Sequence, residues 1–281
     1  MDRRSFVTGS ALGAFGLASA GMFAGAAMAE EAAAPVAAGT AENTVAQAGS
    51  NPAWLGEEPE IDAADIVATY QCDILIVGGA GNGGLAAAAT ASDLGLNFIA
   101  VDRAQSVTES REYLGAINST YSTQVREMDG MQVLNEISRY ASGKCDRDLI
   151  KLWIDNSAEV VDWLDPMLTA AGKFCSVADP GEHATGGTEY VVPVCEHSWI
   201  VPYQPPTRND VLFEHIQAQG DDIWFGYELV RLVHADGKVT GGVFKSEDGY
   251  VEIDAPYVVL ATGGYPANPV MMQALQPDAC R

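Results

Sequence analysis

Three glycines, Gly79, Gly81 and Gly84, stand at the spacing G-x-G-x-x-G, and an acidic residue, Asp102, follows the last of them by 18 positions. Those residue types at that spacing suit one task, the holding of a pyrophosphate with a ribose beside it. Gly79 permits a tight turn, Gly81 presents no side chain to an approaching phosphate, and Gly84 lets a helix pack closely on a strand. A helix starting there aims its first N–H groups and the positive end of its dipole at the phosphates. A carboxylate at the end of the following strand accepts hydrogen bonds from a ribose hydroxyl.

The flanking residues supply the elements that such a turn needs. Asp73-Ile74-Leu75-Ile76-Val77 is a short apolar run with β-branched residues, as a buried parallel strand requires. The Ala-rich segment from Leu85 to Leu94 predicts a helix, stopped by Gly95. Asn97 to Val101 predicts a second strand that ends in Asp102. Strand, turn, helix, strand and acid in this order carry more weight than a glycine-rich loop alone. The unit does not choose between FAD and NAD, because the acid serves either ribose. Gly78, just ahead of Gly79, leaves the register of the turn open by one residue.

A second cluster lies near the end. Lys238 to Phe244 and Gly249 to Ile253 alternate as strands do, joined by the turn-former Ser246-Glu247-Asp248-Gly249, and Tyr227 to His234 predicts another strand of the same meander. Ala255 to Ala261 predicts a buried strand that breaks at Thr262-Gly263-Gly264. A β-meander followed by a strand and Ala261-Thr262-Gly263-Gly264 resembles the second flavin motif of the two-dinucleotide-binding-domain flavoproteins. More narrowly, the chain resembles the fumarate reductase/succinate dehydrogenase flavoprotein family over residues 66–281. Leu149 through Leu164, with Asn156-Ser157-Ala158 and Asp162-Trp163-Leu164, and the closing Gly264-Tyr265 add to the likeness.

The resemblance implies an α/β fold: a Rossmann-like FAD-binding domain with a β-meander and a helical insertion, incomplete at the C-terminus. It implies FAD as cofactor, since NAD dehydrogenases lack the Ala-Thr-Gly-Gly return. It places Gly79, Ala80, Gly81, Asn82 and Gly84 along the pyrophosphate, and Asp102 with Arg103 at the adenosine ribose, Asp102 standing where the family carries a glutamate. Leu229 falls where backbone groups hold adenine, and Ala261, Thr262 and Gly263 pass close under the cofactor. Gly115 and Ala116 fall where the family has a Gly-Gly or Ser-Gly-Gly contact near the flavin. The implied chemistry is hydride transfer from flavin to an activated carbon–carbon double bond of a small-molecule substrate. Electrons would come from a separate cytochrome or quinol-linked donor. The family's substrate-clamping and proton-donating residues belong to a capping domain that would begin at 266–281, so no catalytic residue is assigned. Both a fragment of a longer protein and a truncated gene product fit this expectation.

The N-terminus reads as an address. Arg3 and Arg4 with Phe6, the Ala/Gly-rich apolar stretch from Val7 to Ala29, and Ala27-Met28-Ala29 resemble a twin-arginine export signal over residues 1–29 with a signal-peptidase site. That implies the twin-arginine machinery as a partner and a location in the periplasm or on the outer face of the cytoplasmic membrane. Residues 30–65, rich in Ala, Glu and Pro, read as a linker. The FAD-binding domain is then expected over 66–265, with its insertion over about 125–225.

Composition narrows the partners. Lys and Arg number 15 against 38 Asp and Glu, a formal net charge of -23, which argues against nucleic acid. Cys72, Cys145, Cys175, Cys195 and Cys280 are scattered and form no C-x-x-C or C-x-x-C-H, so no metal or covalent haem site is expected. Leu149, Leu152, Trp153, Val160, Trp163 and Leu164 keep helical spacing and read as core, with Pro166 ending or kinking the helix. Residues 209–219 predict a helix capped by Asn209 or Asp210 and stopped by Gly220, carrying His215 in a structural place. His183, His197 and Arg208 lie in or beside a Gly/Pro-rich stretch, 179–206, expected to be irregular.

Overall fold

The parallel core predicted around the glycine turn forms as expected, but strands from far along the chain complete it. The computed structural model describes residues 54–108, 113–178, 195–201 and 205–280. The expected export signal, much of the expected linker and His183 lie outside those residues. Among the described residues, no helix is long and apolar enough to cross a membrane.

The chain divides into two compact units, one formed by the segments up to Gln105 and from Ile223 onward, the other by Ser106–Asp222. The first unit opens with β1 (Ile66–Gln71), β2 (Ile74–Val77), helix α1 (Asn82–Asp93) and β3 (Phe98–Asp102). The second unit contains β4 (Tyr113–Ala116), α2 (Gly130–Tyr140), α3 (Arg147–Ala170), β5 (Phe174–Ala178), β6 (Cys195–Val201) and α4 (Arg208–Ala218). The chain then returns to the first unit with β7 (Ile223–Phe225), β8 (Glu228–Ala235), β9 (Lys238–Ser246), β10 (Gly249–Asp254), β11 (Tyr257–Leu260) and α5 (Pro269–Leu275).

Two sheets build the first unit. One is wholly parallel, in the order β11-β2-β3-β7; the other is β1-β10-β9-β8, the predicted meander with β1 added parallel to β10. Every residue of β2 is buried, which explains its unbroken run of Ile, Leu and Val. Side chains alternate across a strand, so Leu75 and Val77 face one way and meet Phe244, Val251 and Ile253 of the meander in a shared core. On α1, Leu85, Ala88 and Ala89 are buried, and their small size suits close packing of the helix on β2 and β3. The helix stops where Gly95 takes φ +63°, as its position in the sequence predicts.

The second unit has a three-stranded antiparallel sheet, β4-β6-β5, and the helices α2, α3 and α4. Asp129 and Asp146 cap α2 and α3, each carboxylate accepting two first-turn amides. Ile117, Met128, Val133 and Cys195 form its core, with Trp153 and Ile154 packed against them. Trp153 thus joins the core as predicted, whereas Leu149, Leu152 and Val160 on the same helix stand exposed.

Three expectations are corrected here. Pro166 does not end α3, which runs on to Ala170. A proline removes a single N–H, and buried Leu164 and Leu168 hold the helix on either side of it. The cap of α4 is Thr207, not Asn209 or Asp210: Thr207 and Asp210 exchange reciprocal side-chain–backbone bonds of 3.2 and 2.8 Å. Asn209 is buried instead and donates to the carbonyl of Thr108 at 2.5 Å. The stretch expected to be irregular contains β6, the central strand of the second unit's sheet.

Candidate FAD-binding site

The two glycine turns meet at one edge of the first unit. β2 and β11 are parallel neighbours, so both chains leave the sheet at its carboxyl end, the edge at which ligands bind in open α/β sheets. The Ala261 amide donates to the carbonyl of Val77 at 2.7 Å, carrying the pairing one step past β11. Beyond that point the turns lie against each other. A Cβ placed on Gly78 would stand 2.5 Å from the Ala261 oxygen and 2.9 Å from the Thr262 nitrogen.

This settles the register of the first turn. Gly78, with φ +93°, makes the reversal and the close approach to the second turn. Gly79, to which that role was first given, is instead buried under Ile223 and Ala100, where an added Cβ would come within 3.1 and 3.4 Å. The sequence signal was the doubled Gly78-Gly79, ahead of the regular spacing. Gly84 lies so close to Gly78 that a Cβ on it would sit 2.0 Å from the Gly78 oxygen. The helix thus packs closely on the turn that follows the strand.

The end of β3 grips the same turn. The carbonyl of Val101 accepts the amides of Gly78 and Gly79 at 2.9 and 3.0 Å. The Asp102 carboxylate accepts the Ala80 amide at 2.9 Å through Oδ2 and the Ala104 amide at 2.8 Å through Oδ1. Arg103 is exposed. Beside Asp102 runs the link from β7 to β8, where Tyr227 donates its amide to the Asp102 carbonyl and Gly226 to that of Ala104, both at 2.9 Å. The sequence reading missed these two, since nothing local marks a pairing more than 120 residues distant. Leu229, two residues on, turns its side chain into the core around Val77, Val101 and Phe244.

Gly115 and Ala116 belong to the second unit, in β4. The Gly115 carbonyl accepts the indole N–H of Trp153 at 3.2 Å, and Ala116 is fully buried.

Residues 73–280 match the protein family described as FAD binding domain. The chain belongs to that family. Vinyl phenol reductase of Lactiplantibacillus plantarum is 29% identical over 213 residues, which make up 72% of this chain and 40% of that protein. Among solved structures, the 3-ketosteroid-Δ4-(5α)-dehydrogenase from Rhodococcus jostii RHA1 superposes with a TM-score of 0.61 at 19% identity, over 76% of this chain and 50% of that one. A flavocytochrome c3 fumarate reductase in its open conformation superposes with a TM-score of 0.58 at 23% identity, over 82% and 40% of the two chains. The chain thus spans half or less of the length of these relatives. The likeness of the motifs to the FAD-binding fumarate reductase/succinate dehydrogenase flavoproteins holds, and the choice between FAD and NAD falls to FAD.

The geometry fits that cofactor. Gly81 has an ordinary extended backbone, φ -91° and ψ 173°, and an added Cβ would meet no atom within 4 Å. Neither backbone strain nor packing therefore demands glycine there. A pyrophosphate approaching the start of α1, where no side chain caps the helix, would. Asn82, exposed, opens the helix, and exposed Thr262 and Gly263 lie in the second turn. These residues would hold FAD, with the pyrophosphate at the helix start and the chain from Ala261 to Gly263 passing beside it.

His197, weighed in sequence as a loop residue, is a buried structural group. Its Nδ1 lies 3.2 and 3.1 Å from the carbonyls of Leu114 and Cys195, which only accept, so Nδ1 carries the proton. Nε2 then accepts from the Ser119 hydroxyl at 2.7 Å. Burial pushes the His197 pKa below 6.5, against the pull of the two carbonyls. Below about pH 6.5 the unfolded chain takes up a proton that folded His197 refuses, so stability falls as pH drops. Denaturant titrations from about pH 7.5 to 5 are expected to show stability falling with pH, and to show a smaller fall in His197→Gln.

Proposed function

We propose that this chain is the FAD-holding front of an exported reductase that saturates an activated carbon–carbon double bond. The observation that carries the reading is the meeting of two flavin-type turns at one sheet edge, with the Ala261 carbonyl against Gly78. The names of similar proteins, a vinyl phenol reductase and a fumarate reductase, support a conjugated alkene as substrate class. Bound and reduced, FAD would supply a hydride to one alkene carbon while a proton reaches the other, so that the double bond becomes single and the flavin is oxidised. This chain's own residues bind and orient: the α1 start and the Gly78–Gly84 turn fix the pyrophosphate, and Asp102 secures the turn from β3. The electrons come from a separate cytochrome or quinol-linked protein, a reading supported by the likeness to a flavocytochrome c3 fumarate reductase. Arg3 and Arg4 direct the folded protein through the twin-arginine route to the outer side of the cytoplasmic membrane.

The test is spectroscopic. Protein purified from the cell envelope is expected to be yellow, to release FAD on denaturation, and to be reduced by dithionite. Fumarate, a vinyl phenol or a steroid enone should then reoxidise it, whereas the saturated counterparts should not. A flavin reoxidised by none of these alkenes would replace the reductase with an electron relay. Protein recovered in the cytoplasm would remove the export step.

A further inference from the structure

Helix α3 carries an exposed face whose chemistry the flavin site does not use. Asp148, Asp155, Glu159 and Asp162 recur at i, i+7, i+11 and i+14, which sets them in one row about 21 Å long. All four are exposed. Beside that row run Leu149, Leu152 and Val160, again at spacings that share a side, and they are 64%, 46% and 38% exposed. The buried residues of the helix, Ser157, Val161, Leu164 and Leu168, lie on the opposite side from the carboxylates. The cations of α3 leave the row acidic. Arg147 turns to α2, donating to Ser138 and Asn135 at 2.8 and 3.0 Å, and Lys151 pairs with Asp155 at 2.5 Å. On α3 itself, one cation thus stands against four carboxylates along the row.

An exposed apolar strip edged by carboxylates suits a partner of a definite kind, a protein with a small apolar patch ringed by lysines or arginines. Three side chains are too few for a permanent contact, which buries about 800 Å² on each partner. They suit a brief encounter steered by charge, which is how proteins that pass electrons meet. We infer that this face of α3 is the docking surface for the separate electron donor, a redox protein with a basic rim. The inference rests on the reductase reading, in which electrons arrive from another protein.

The probe is cytochrome c, a small basic haem protein with lysines around its exposed haem edge. Holoprotein reduced by dithionite, then freed of the excess, gives its two flavin electrons to two ferric haems, one to each, as FADH2 becomes FAD and two protons leave. The second-order rate is read from the haem absorbance. At low ionic strength, Asp155→Asn with Glu159→Gln is expected to react at least about fivefold more slowly than wild type, and salt should shrink the difference. Leu149→Gln with Leu152→Gln is expected to be about threefold slower at every ionic strength, since apolar contact is not screened. Glu247→Gln with Asp248→Asn, in the turn between β9 and β10, removes the same charge elsewhere and is expected to match the wild type. All of these side chains are exposed, so melting temperatures should stay at the wild-type value.

An equal loss in the β9–β10 control would reduce the effect to net charge and overturn the inference. Sedimentation adds a further outcome: a wild-type dimer that Leu149→Gln with Leu152→Gln dissociates would give the face to a second copy of this chain, against the inference. Wild-type protein that takes up no FAD would sink the reductase reading and the inference with it. Wild-type protein that takes up FAD and reduces the cytochrome, with the α3 variants reacting at the same rate, sinks the inference alone.

Discussion

Gly84→Ala is expected to abolish flavin binding and to lower the melting temperature by about 5–10 °C. The added Cβ would stand 2.0 Å from the oxygen of Gly78 and 2.7 Å from its carbonyl carbon and from the Gly79 Cα. All three are backbone atoms, so no side chain can rotate away. Relief requires either that α1 lift from β2 or that the Gly78–Gly79 turn open. The first exposes Leu85, Ala88 and Ala89, which are fully buried. The second breaks the bonds from the Gly78 and Gly79 amides to Val101. Overpacking of this kind costs about 1–3 kcal/mol and occasionally more, a large share of the stability of a single domain. Gly83→Ala is the matched control: its Cβ would meet only the Ala261 methyl, at 3.8 Å, and alanine favours the helix by about 0.5–1 kcal/mol. Thermal melts and flavin content of the two variants check the pair. A Gly84→Ala protein with wild-type melting and wild-type flavin would contradict the packing of helix on turn.

What could be read from the residues alone follows the range of the interactions. The run from Ile74 to Asp102 was legible because each element signals locally: four buried apolar residues, a glycine turn, an alanine helix, a glycine stop. The meander was legible for the same reason, since its strands are sequence neighbours joined by short turns. β1 was not, because most of it is exposed and its partner β10 lies more than 180 residues on. β7 has three residues and no period to read; it is held as a strand by β3. β6 hides in glycine- and proline-rich surroundings and gains its hydrogen bonds from β4 and β5 on either side. The Thr207 cap was present in the spacing Thr207-Arg208-Asn209-Asp210, a capping box, yet Asn209 and Asp210 drew attention as stronger single cap formers. Of the site, residue types and order came from the sequence. The meeting of the turns, the role of Gly78 and the engagement of both Asp102 oxygens depend on chain segments that only folding brings together.

Gly81 and Gly84, three residues apart, should fail for opposite reasons. Gly81→Asp is expected to leave the flavin-free protein as stable as the wild type, while FAD affinity falls at least about a hundredfold, or about 2.7 kcal/mol. The backbone at Gly81 is extended, and nothing stands within 4 Å of an added Cβ, so aspartate enters without strain. At a helix N-cap aspartate is as good as glycine or better, because its side chain accepts a first-turn amide and its charge suits the dipole. Those same amides and that same dipole are what a pyrophosphate would use, so the carboxylate takes its place and repels it. Gly81→Ala separates the two effects, since it adds bulk without charge. Raising the ionic strength should recover part of the affinity lost in Gly81→Asp and none of that lost in Gly81→Ala. Titration of the flavin-free proteins with FAD, paired with their melting curves, gives both numbers. Tight FAD binding by Gly81→Asp would move the pyrophosphate away from the start of α1, and with it the reason that glycine stands there.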